Sequence, residues 1–332
     1  MFNLQYRLTK HLSANLERTT LLLESLRNLP SRSPVKIKIT RDALGRDVHS
    51  STWIEGNMLT LAQVAALVDG KDVEAESKQK TEVKNCINVL RWIIGHKRVS
   101  LTSKNILKLH AVMTKGLLPV ERSGHWRGIQ NYVVNSQRQV LFTPPKANDV
   151  LKRVEELLAW VSKSKEDHPI VRSAIFHHEF VTIHPFVDGN GRMARALSQW
   201  ILFQGGYDPA HSLGLDEFFA SDRAKYYQMI KETREMDRDF THWVEYFSLG
   251  LLRSVENLSQ RLRSVKMDGR EWTPKQRELI DLLNKRGILG SGDICRAMSI
   301  NRSRVNQLIT PLITAGVVVK EGHTRSSKYR VI

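Results

Sequence analysis

Apolar residues recur at three- and four-residue intervals along most of the 332-residue chain. This spacing places them on one face of an α-helix, which can then pack against neighbouring helices. The sequence therefore predicts a helical bundle as the main body of the protein. The clearest helical segments are Val83–Ile94, Lys104–Met113, Val150–Val161, Ile170–Ile183 and Arg192–Phe203.

One segment between these helices, residues 127–142, has a different pattern. Two short apolar runs, Tyr132–Val134 and Val140–Phe142, flank the polar stretch Asn135–Arg138. Two short β-prone runs around a polar turn are typical of a hairpin, and Pro144-Pro145 prevents the second strand from continuing. We therefore predict a β-hairpin inserted between helices.

The pattern changes again near residue 270, where the polar and basic stretch Ser254–Arg270 ends in a plausible break at Met267–Arg270. Thr273-Pro274 then opens a new helical pattern. We predict three short helices and two β-rich pieces in this part, an order that indicates a winged helix-turn-helix. They are the helices at 274–286, 291–298 and 301–314 and the strands Gly316–Lys320 and Lys328–Val331.

This C-terminal part has two interpretations. In a helix-turn-helix, residues at the start of the second helix contact base edges and others reach phosphates, so residues 291–330 are a candidate DNA-binding surface. The same fold also serves as a dimerisation or target-docking module, in which its basic residues are merely solvated. The candidate base contacts are Arg302, Arg304 and Asn306, and the candidate phosphate contacts are His323, Arg325 and Lys328.

Charge and cysteine content limit the remaining possibilities. The formal net charge is +17, and residues 251–332 alone contain 16 Lys/Arg against 7 Asp/Glu, which favours phosphates, nucleic acid or acidic partners. Cys86 and Cys295 are far apart, so they predict two buried thiols and neither a disulfide framework nor a metal site. The chain has no recognisable signal peptide or membrane span, so we expect a cytoplasmic protein without membrane contact.

The densest chemical pattern is the stretch from Thr182 to Arg195. Pro185 ends the preceding helix and a new helical pattern resumes at Arg192, so the polar residues lie on a loop. Gly189-Asn190-Gly191 lets backbone N–H groups converge at a helix start, which suits phosphate. Arg192 and Arg195 share one helical face and can bind anionic oxygens, Asp188 offers the oxygen ligand that Mg²⁺ prefers, and His184 can accept a proton from a hydroxyl. Each residue taken singly has an ordinary structural explanation, but together they predict a phosphate site.

This stretch resembles the Fic family pattern HxFx(D/E)GNGRxxR, which residues 184–195 match at every defined position. The similarity extends over residues 50 to 250, and it includes Phe176–Phe180, Leu109-His110, Pro144-Pro145 and Arg223–Tyr227. The resemblance implies a mainly α fold: a Fic-type helical bundle with a β-hairpin flap, followed here by a small winged helix-turn-helix domain. The domains would then be an N-terminal helical region at 1–95, the Fic catalytic core at 96–250, a linker at 251–270 and the winged domain at 271–332.

The resemblance also implies roles for individual residues. His184 would deprotonate a target hydroxyl for attack on the α-phosphorus of ATP, and Asp188 would hold Mg²⁺. The flap at 127–142 would pair with an extended target segment; otherwise it is an ordinary surface hairpin. The implied nucleotide-binding residues are Gly189, Asn190, Gly191, Arg192, Arg195, Tyr226 and Tyr227.

A second match concerns the family's inhibitory helix pattern [S/T]xxxE[G/N], which Ser51 and Glu55 fulfil. Thr52 and Glu55 also form a literal helix-capping box, so a purely structural explanation is available. Gly56-Asn57, however, indicates a helix end, which would place Glu55 in the last turn, where the helix dipole disfavours a negative charge. Our hypothesis is an ion pair between Glu55 and Arg195 that prevents Arg195 from holding the γ-phosphate.

The leading hypothesis is therefore a protein adenylyltransferase that moves AMP from ATP to a Ser, Thr or Tyr hydroxyl of a target protein or of itself. The alternative is a DNA-binding regulator in which the nucleotide site is a sensor. An HExxH metalloprotease is excluded because Thr182 stands where the second histidine would be. Relatives can transfer other groups, and those that phosphorylate usually have lysine at the position of Gly191, so Gly191 favours AMP. Removal of AMP and a homodimer remain open.

Overall fold

The structure is a computed structural model that describes residues 4–27, 34–134, 137–208, 213–236, 239–267, 272–315, 317–322 and 327–331. These residues are mainly helical, as predicted. The helices are α1 (Lys10–Arg27), α2 (Pro34–Ile54), α3 (Leu61–Val68), α4 (Ser77–Gly95), α5 (Ser103–Met113), α6 (Val150–Lys163), α7 (Pro169–Ile183), α8 (Asn190–Gln204), α9 (Leu215–Ser221), α10 (Arg223–Glu235), α11 (Thr241–Met267), α12 (Pro274–Arg286), α13 (Ser291–Met298) and α14 (Arg302–Thr314). The strands are β1 (Val133–Val134), β2 (Val140–Phe142), β3 (Leu289–Gly290), β4 (Val318–Glu321) and β5 (Lys328–Val331).

The chain divides into two compact units. One consists of Met1–Glu24 and Leu44–Glu256, and the other of Ser25–Ala43 and Asn257–Ile332. Helix α11 runs from Thr241 to Met267, so residues 251–267 of the predicted linker are helical. Residues 268–270 of the predicted break lie outside the described residues.

The core of the first unit surrounds α7 and α8, which are buried on nearly all sides. Eleven of the fifteen residues of α7 are buried, and thirteen of the fifteen residues of α8. Helices at the centre of a domain are covered by their neighbours, and here they bury polar side chains such as Glu179 and Arg195 together with the apolar ones. Phe176, Phe180, Phe186 and Trp200 have no exposed surface and anchor this core. The functional loop between α7 and α8 is therefore held at both ends by central helices.

The predicted hairpin is present but short. Strands β1 and β2 pair antiparallel, with Val133 opposite Phe142 and Val134 opposite Val140. Residues 135–136 of its predicted turn lie outside the described residues. Several of its apolar side chains are exposed, and a two-stranded ribbon of this kind depends on packing elsewhere for stability. The Arg234 guanidinium of α10 lies over the Phe142 ring of β2, 3.8 Å from its centroid, and residues that precede and follow the strands make further contacts with the bundle.

The C-terminal helices are close to the predicted bounds, because strong local signals define them. Thr273 and Gln276 form a capping box at the start of α12, and Asn301 caps α14 by accepting the Arg304 N–H. Both arrangements satisfy helix N–H groups that otherwise lack partners. Sequence reasoning missed β3, a two-residue strand that pairs with β5 and extends the sheet to the order β3-β5-β4. Gly316, the expected first residue of the fourth strand, lies outside the described residues, as do His323 and Arg325.

The prediction of two buried thiols is half right. Cys86 is buried, and burial raises the pKa of its thiol to about 12. Cys295 is only partly buried and packs against the C-terminal core, whereas its neighbour Ile294 is buried within it. Within the described segments, every helix is too short or too polar to cross a bilayer.

Candidate active site

The loop between α7 and α8 has a fixed backbone. His184, which follows the last residue of α7, has φ 52° and ψ 58° in the left-handed region, and Gly189 has φ 81° before α8 begins. Glycine adopts such a φ without steric cost. The Asn190 side chain closes the loop, because its Oδ1 accepts the Phe186 N–H at 2.9 Å and its Nδ2 donates to the Phe186 carbonyl at 2.8 Å.

His110 of α5 supports the same loop. Its ring stacks on Phe186 with centroids 3.6 Å apart. Because Nδ1 accepts the Gly124 N–H at 2.9 Å, Nε2 carries the proton and donates to the Asp188 carbonyl at 3.0 Å. Burial lowers the pKa of His110 to about 4, so the ring is neutral near pH 7. Sequence reasoning noted His110 only within the family similarity, since partners 14 and 78 residues away leave no local pattern.

The imidazole of His184 is arranged to accept a proton. Nδ1 lies 3.2 Å from the Val181 carbonyl oxygen, so Nδ1 is the protonated nitrogen and Nε2 keeps a free lone pair. Burial lowers the pKa of His184 to about 4, and the nearby cations of Arg234 and Arg127 act in the same direction. A neutral imidazole near pH 7 can act as a general base toward a hydroxyl.

A carboxylate lies against the first turn of α8. A Cβ placed on Gly191 would come within 2.3 Å of Glu55 Oε1, so this oxygen packs directly on the glycine. The first turn of a helix has N–H groups without helical partners and a partial positive charge, which makes it an anion site. Glu55 thus occupies the helix start that the sequence predicts for phosphate.

Arg195 links Glu55 to the interior of the bundle. Its Nη2 donates to Glu55 Oε1 at 2.8 Å and to the Ser51 carbonyl at 2.9 Å, and its Nε donates to Ser51 Oγ at 2.9 Å. Asp216 Oδ2 lies 3.6 Å from Nε, and the Arg195 side chain has no exposed surface. Burial alone would lower the pKa of Arg195, but Glu55, Tyr226 and Asp216 outweigh it and raise that pKa. The ion pair predicted between Glu55 and Arg195 is present, while its regulatory role is a proposal.

Arg192, the other arginine of the loop pattern, also contacts carboxylates. Arg192 Nη1 donates to Glu82 Oε1 of α4, and Arg192 Nη2 lies 3.4 Å from both Asp188 carboxylate oxygens. Asn57 donates to the other Glu82 oxygen at 2.7 Å, so Glu82 is held in place. Sequence reasoning missed Glu82, which is 110 residues from Arg192 in the chain.

Asp188 is the residue of this loop that is open to a metal ion. Its side chain is 58% exposed, and its Oδ1 also accepts the Gly189 N–H at 2.6 Å. Among the described residues, no group of three or more His, Cys, Asp or Glu is arranged to hold a metal. Mg²⁺ is commonly bound by one or two carboxylates together with substrate phosphates. One exposed carboxylate beside an anion site fits that requirement.

Two other predictions concern the end of α2 and the paired tyrosines. The capping box at Thr52 is wrong: Thr52 lies in the last turn of α2 and donates its hydroxyl to the Val48 carbonyl at 2.8 Å. Tyr226 is 1% exposed, and its hydroxyl lies 3.0 Å from His177 Nε2, so it is packed in the core, and its contact with a nucleotide stays a prediction. Tyr227 is 43% exposed and remains available for the predicted contact.

The hairpin presents apolar residues to solvent beside this loop. The exposed fractions are 57% for Tyr132, 47% for Val134, 56% for Val140 and 61% for Leu141. Apolar side chains along a short exposed edge strand favour pairing with another extended segment.

The chain is similar to known proteins over the region that contains this site. The profile of the Fic/DOC family matches residues 100–202. Proteins named protein adenylyltransferase Fic are 29% identical in Drosophila melanogaster and 30% identical in Drosophila virilis, over 215 residues in each case. Those alignments cover 61% of this chain but 40% and 41% of the relatives, so the chain spans about two fifths of their length.

Solved structures give a similar result. A Fic family protein from Desulfovibrio desulfuricans G20 superimposes with a TM-score of 0.68 and 25% identity, covering 100% of this chain and 98% of the other. Fic-1 from C. elegans superimposes with a TM-score of 0.63 and 24% identity over 78% of this chain and 74% of the other, a likeness of fold.

Proposed function

Because residues 100–202 form a Fic/DOC family domain, we propose that this protein is an adenylyltransferase that transfers AMP from ATP to a hydroxyl side chain of a protein. The observation that carries the proposal is the loop after α7. There a neutral histidine with a free Nε2 begins the loop that ends at a helix start suited to phosphate. The proteins named protein adenylyltransferase Fic that match this chain support the same activity.

The proposed reaction needs one base and a set of anion-binding groups. His184 Nε2 takes the proton of the target hydroxyl while its oxygen attacks the α-phosphorus of ATP. The new oxygen–phosphorus bond replaces the bond to the β-phosphate oxygen, and pyrophosphate leaves. The N–H groups at the start of α8 and the side chains of Arg192 and Arg195 bind the triphosphate oxygens. Such a transfer depends mainly on positioning and on stabilisation of phosphate charge.

Asp188 is the residue that we propose to hold Mg²⁺. Its exposed carboxylate lies at the start of the anion-binding turn, and Arg192 lies 3.4 Å from both of its oxygens. When bound, Mg²⁺ would neutralise part of the phosphate charge. The residues of this chain then orient the nucleotide around it.

We propose that Glu55 inhibits this transfer activity. Its Oε1 contacts Gly191 and accepts a hydrogen bond from Arg195. The Glu55 carboxylate therefore occupies the helix start and the arginine that we propose to bind the γ-phosphate. ATP that binds in the presence of Glu55 would then lack the contact of Arg195 with its γ-phosphate. Removal of the carboxylate is expected to release both the helix start and the arginine.

The target is proposed to be a protein segment in extended conformation. The hairpin β1–β2 offers an exposed edge with apolar side chains, and Arg127 connects the ends of this hairpin with the His184 carbonyl. Main-chain hydrogen bonds along such an edge give affinity without strict dependence on sequence. This would bring a hydroxyl side chain of the target toward His184.

The experiment that tests the proposal is transfer of label from α-³²P-ATP in the presence of Mg²⁺ and cell lysate. The Glu55→Gly protein should label protein bands more strongly than the unmodified protein, and mass spectrometry should find adducts of AMP mass. The Glu55→Gly, His184→Ala protein should still bind ATP but leave no adduct. Nucleotide binding by Glu55→Gly without any covalent label would instead indicate a sensor.

DNA binding by the C-terminal unit is a second candidate function, which would apply beside the first. Arg302 and Arg304 are exposed at the first turn of α14, which Asn301 caps, and the three helices and antiparallel sheet of residues 274–331 suit a winged helix-turn-helix. Basic side chains at that position contact bases and phosphates in such motifs. Replacing both arginines by alanine should weaken binding to duplex DNA and reduce its salt dependence. Equal binding by the altered and unaltered chains would exclude this surface.

A further inference from the structure

Arg127 lies between α5 and the hairpin and is almost fully buried, with 2% of its surface exposed. Its guanidinium donates to four carbonyl oxygens. Nε donates to His184 at 2.8 Å, Nη1 donates to Ile129 at 3.0 Å, and Nη2 donates to Pro145 and, at 3.4 Å, to Ile183. In addition, the backbone N–H of Arg127 donates to the Pro185 carbonyl at 2.9 Å.

These acceptors belong to two different parts of the site. Ile129 precedes β1 and Pro145 follows β2, so they mark the two ends of the hairpin. Ile183 and His184 form the junction between α7 and the functional loop. One planar guanidinium therefore connects both ends of the hairpin with the peptide of the proposed base. Because its N–H groups form a rigid fork, it fixes both the distance and the angle between the hairpin and the His184 peptide.

The position of Arg127 is not explained by charge pairing. Among the described residues, Arg127 makes no ion pair with a carboxylate, and burial lowers its pKa below the ordinary value. Burying a cation without a counter-ion is unfavourable unless its donors are used. Here the guanidinium donates to main-chain carbonyl oxygens, so its hydrogen bonds fix the position of the backbone.

We propose that Arg127 is a positioning residue for the transfer reaction: it fixes the hairpin and the His184 peptide as one unit, so that a target segment bound on the hairpin meets the base at a set distance. This rests on the proposed function. The described hydrogen bonds of Arg127 go to the two ends of the hairpin and to residues 183–185, so we expect its effect on the attack by the hydroxyl and not on nucleotide binding.

Arg127→Lys tests the proposal in the Glu55→Gly protein, because lysine keeps the charge but cannot donate to four carbonyl groups in a fixed plane. With an identified target or with self-modification as the reaction, kcat should fall by about 100-fold, the effect of a misplacement near 1 Å. The Kd for ATP, measured by calorimetry, should stay within about twofold of the Glu55→Gly value, since the residues that bind the phosphates are unchanged. Arg122→Lys is the matched control, because Arg122 is an exposed arginine of the same segment.

A second variant tests the attachment of the hairpin if Arg127→Lys does not fold. Asn131 Nδ2 donates to the Phe186 carbonyl at 2.9 Å and to the Val187 carbonyl at 3.3 Å, so it ties the hairpin to the loop independently of Arg127. Asn131→Ala should lower kcat in the same way, by about tenfold, with unchanged ATP affinity. If Arg127→Lys fails to fold, Asn131→Ala decides the question.

The outcomes separate the two proposals. If the Glu55→Gly protein itself transfers no AMP, the proposed function is wrong, whatever Arg127 does. If Glu55→Gly is active and both hairpin variants keep its kcat, only the positioning role is wrong. A loss of ATP affinity equal to the loss of kcat would also overturn it, because that pattern indicates general disruption of the site.

Discussion

Replacing Glu55 by glycine should raise the affinity for ATP relative to ADP. Glu55 Oε1 accepts a 2.8 Å hydrogen bond from Arg195, and the Glu55 side chain is 29% exposed. A partly buried, charge-assisted hydrogen bond of this kind is worth about 2 kcal/mol. A γ-phosphate that must break this bond is held about 30-fold more weakly, since 1.4 kcal/mol corresponds to a tenfold change in affinity. ADP has no γ-phosphate and avoids most of this competition.

Calorimetric titration with ATP and ADP, each in the presence of Mg²⁺, measures the effect. The ratio of the two dissociation constants should shift toward ATP by about 30-fold in Glu55→Gly. Glu55→Gln keeps an acceptor for Arg195 but loses the charge, so its ratio should lie between the other two. Glu121→Gly, at an exposed position, is the control and should match the unmodified protein. The reasoning is refuted if all four proteins give the same ATP-to-ADP ratio.

Three further predictions concern stability. The pKa values of His110 and His184 are lowered from 6.5 to about 4, so between these limits the unfolded chain binds more protons than the native one. The native state is therefore stabilised above pH 6.5 and loses stability as the pH falls toward 4, by up to about 1.4 kcal/mol per pH unit for each histidine. Urea unfolding at pH 7 and pH 5 should show this loss, and His184→Asn should reduce it. Phe186→Ala should lower the free energy of unfolding by about 3–5 kcal/mol, because the ring is fully buried and stacks on His110; urea titration at pH 7 measures it. Gly191→Ala should destabilise the protein while Glu55 is present, since the new Cβ would lie 2.3 Å from its carboxylate oxygen, and should be less harmful, or gain up to about 1 kcal/mol of helix propensity, in Glu55→Gly. Thermal melts of the four proteins of that cycle test the coupling, and equal effects in both backgrounds would contradict it.

Local patterns in the sequence were enough for much of the fold. Helix α12 at Pro274–Arg286 and helix α13 at Ser291–Met298 have the predicted bounds, because capping residues and apolar periodicity act over a few residues. The left-handed turn at Gly189 and the loop residues around it were also predictable, since glycine and proline restrict the backbone directly.

Residues that act over long separations were not predictable in the same way. Arg127 bonds to carbonyls 56 and 57 residues away, and Glu82 bonds to Arg192 across 110 residues. Their partners are main-chain carbonyls or a single side chain, which leave no periodic mark in the sequence. The ion pair of Glu55 with Arg195, 140 residues apart, is predictable only through the family resemblance, and that resemblance does not report the burial of Tyr226.

The contacts around His184 and those around Glu55 differ in a way that fits their proposed roles. A non-glycine residue in the left-handed region carries a backbone strain of about 1–3 kcal/mol and keeps that conformation only where neighbours fix it. Arg127 fixes the His184 carbonyl from the hairpin, and Asn190 fixes the loop from within. Glu55, in contrast, lies on an exposed turn after the end of α2, and within the described part of the chain its carboxylate accepts a hydrogen bond from Arg195. The base is thus held by several contacts that a ligand does not need to break, whereas the contacts of Glu55 are with the start of α8 and with Arg195, the groups that we propose for the γ-phosphate. Arg195 also has Ser51 and Asp216 as partners, which do not depend on Glu55.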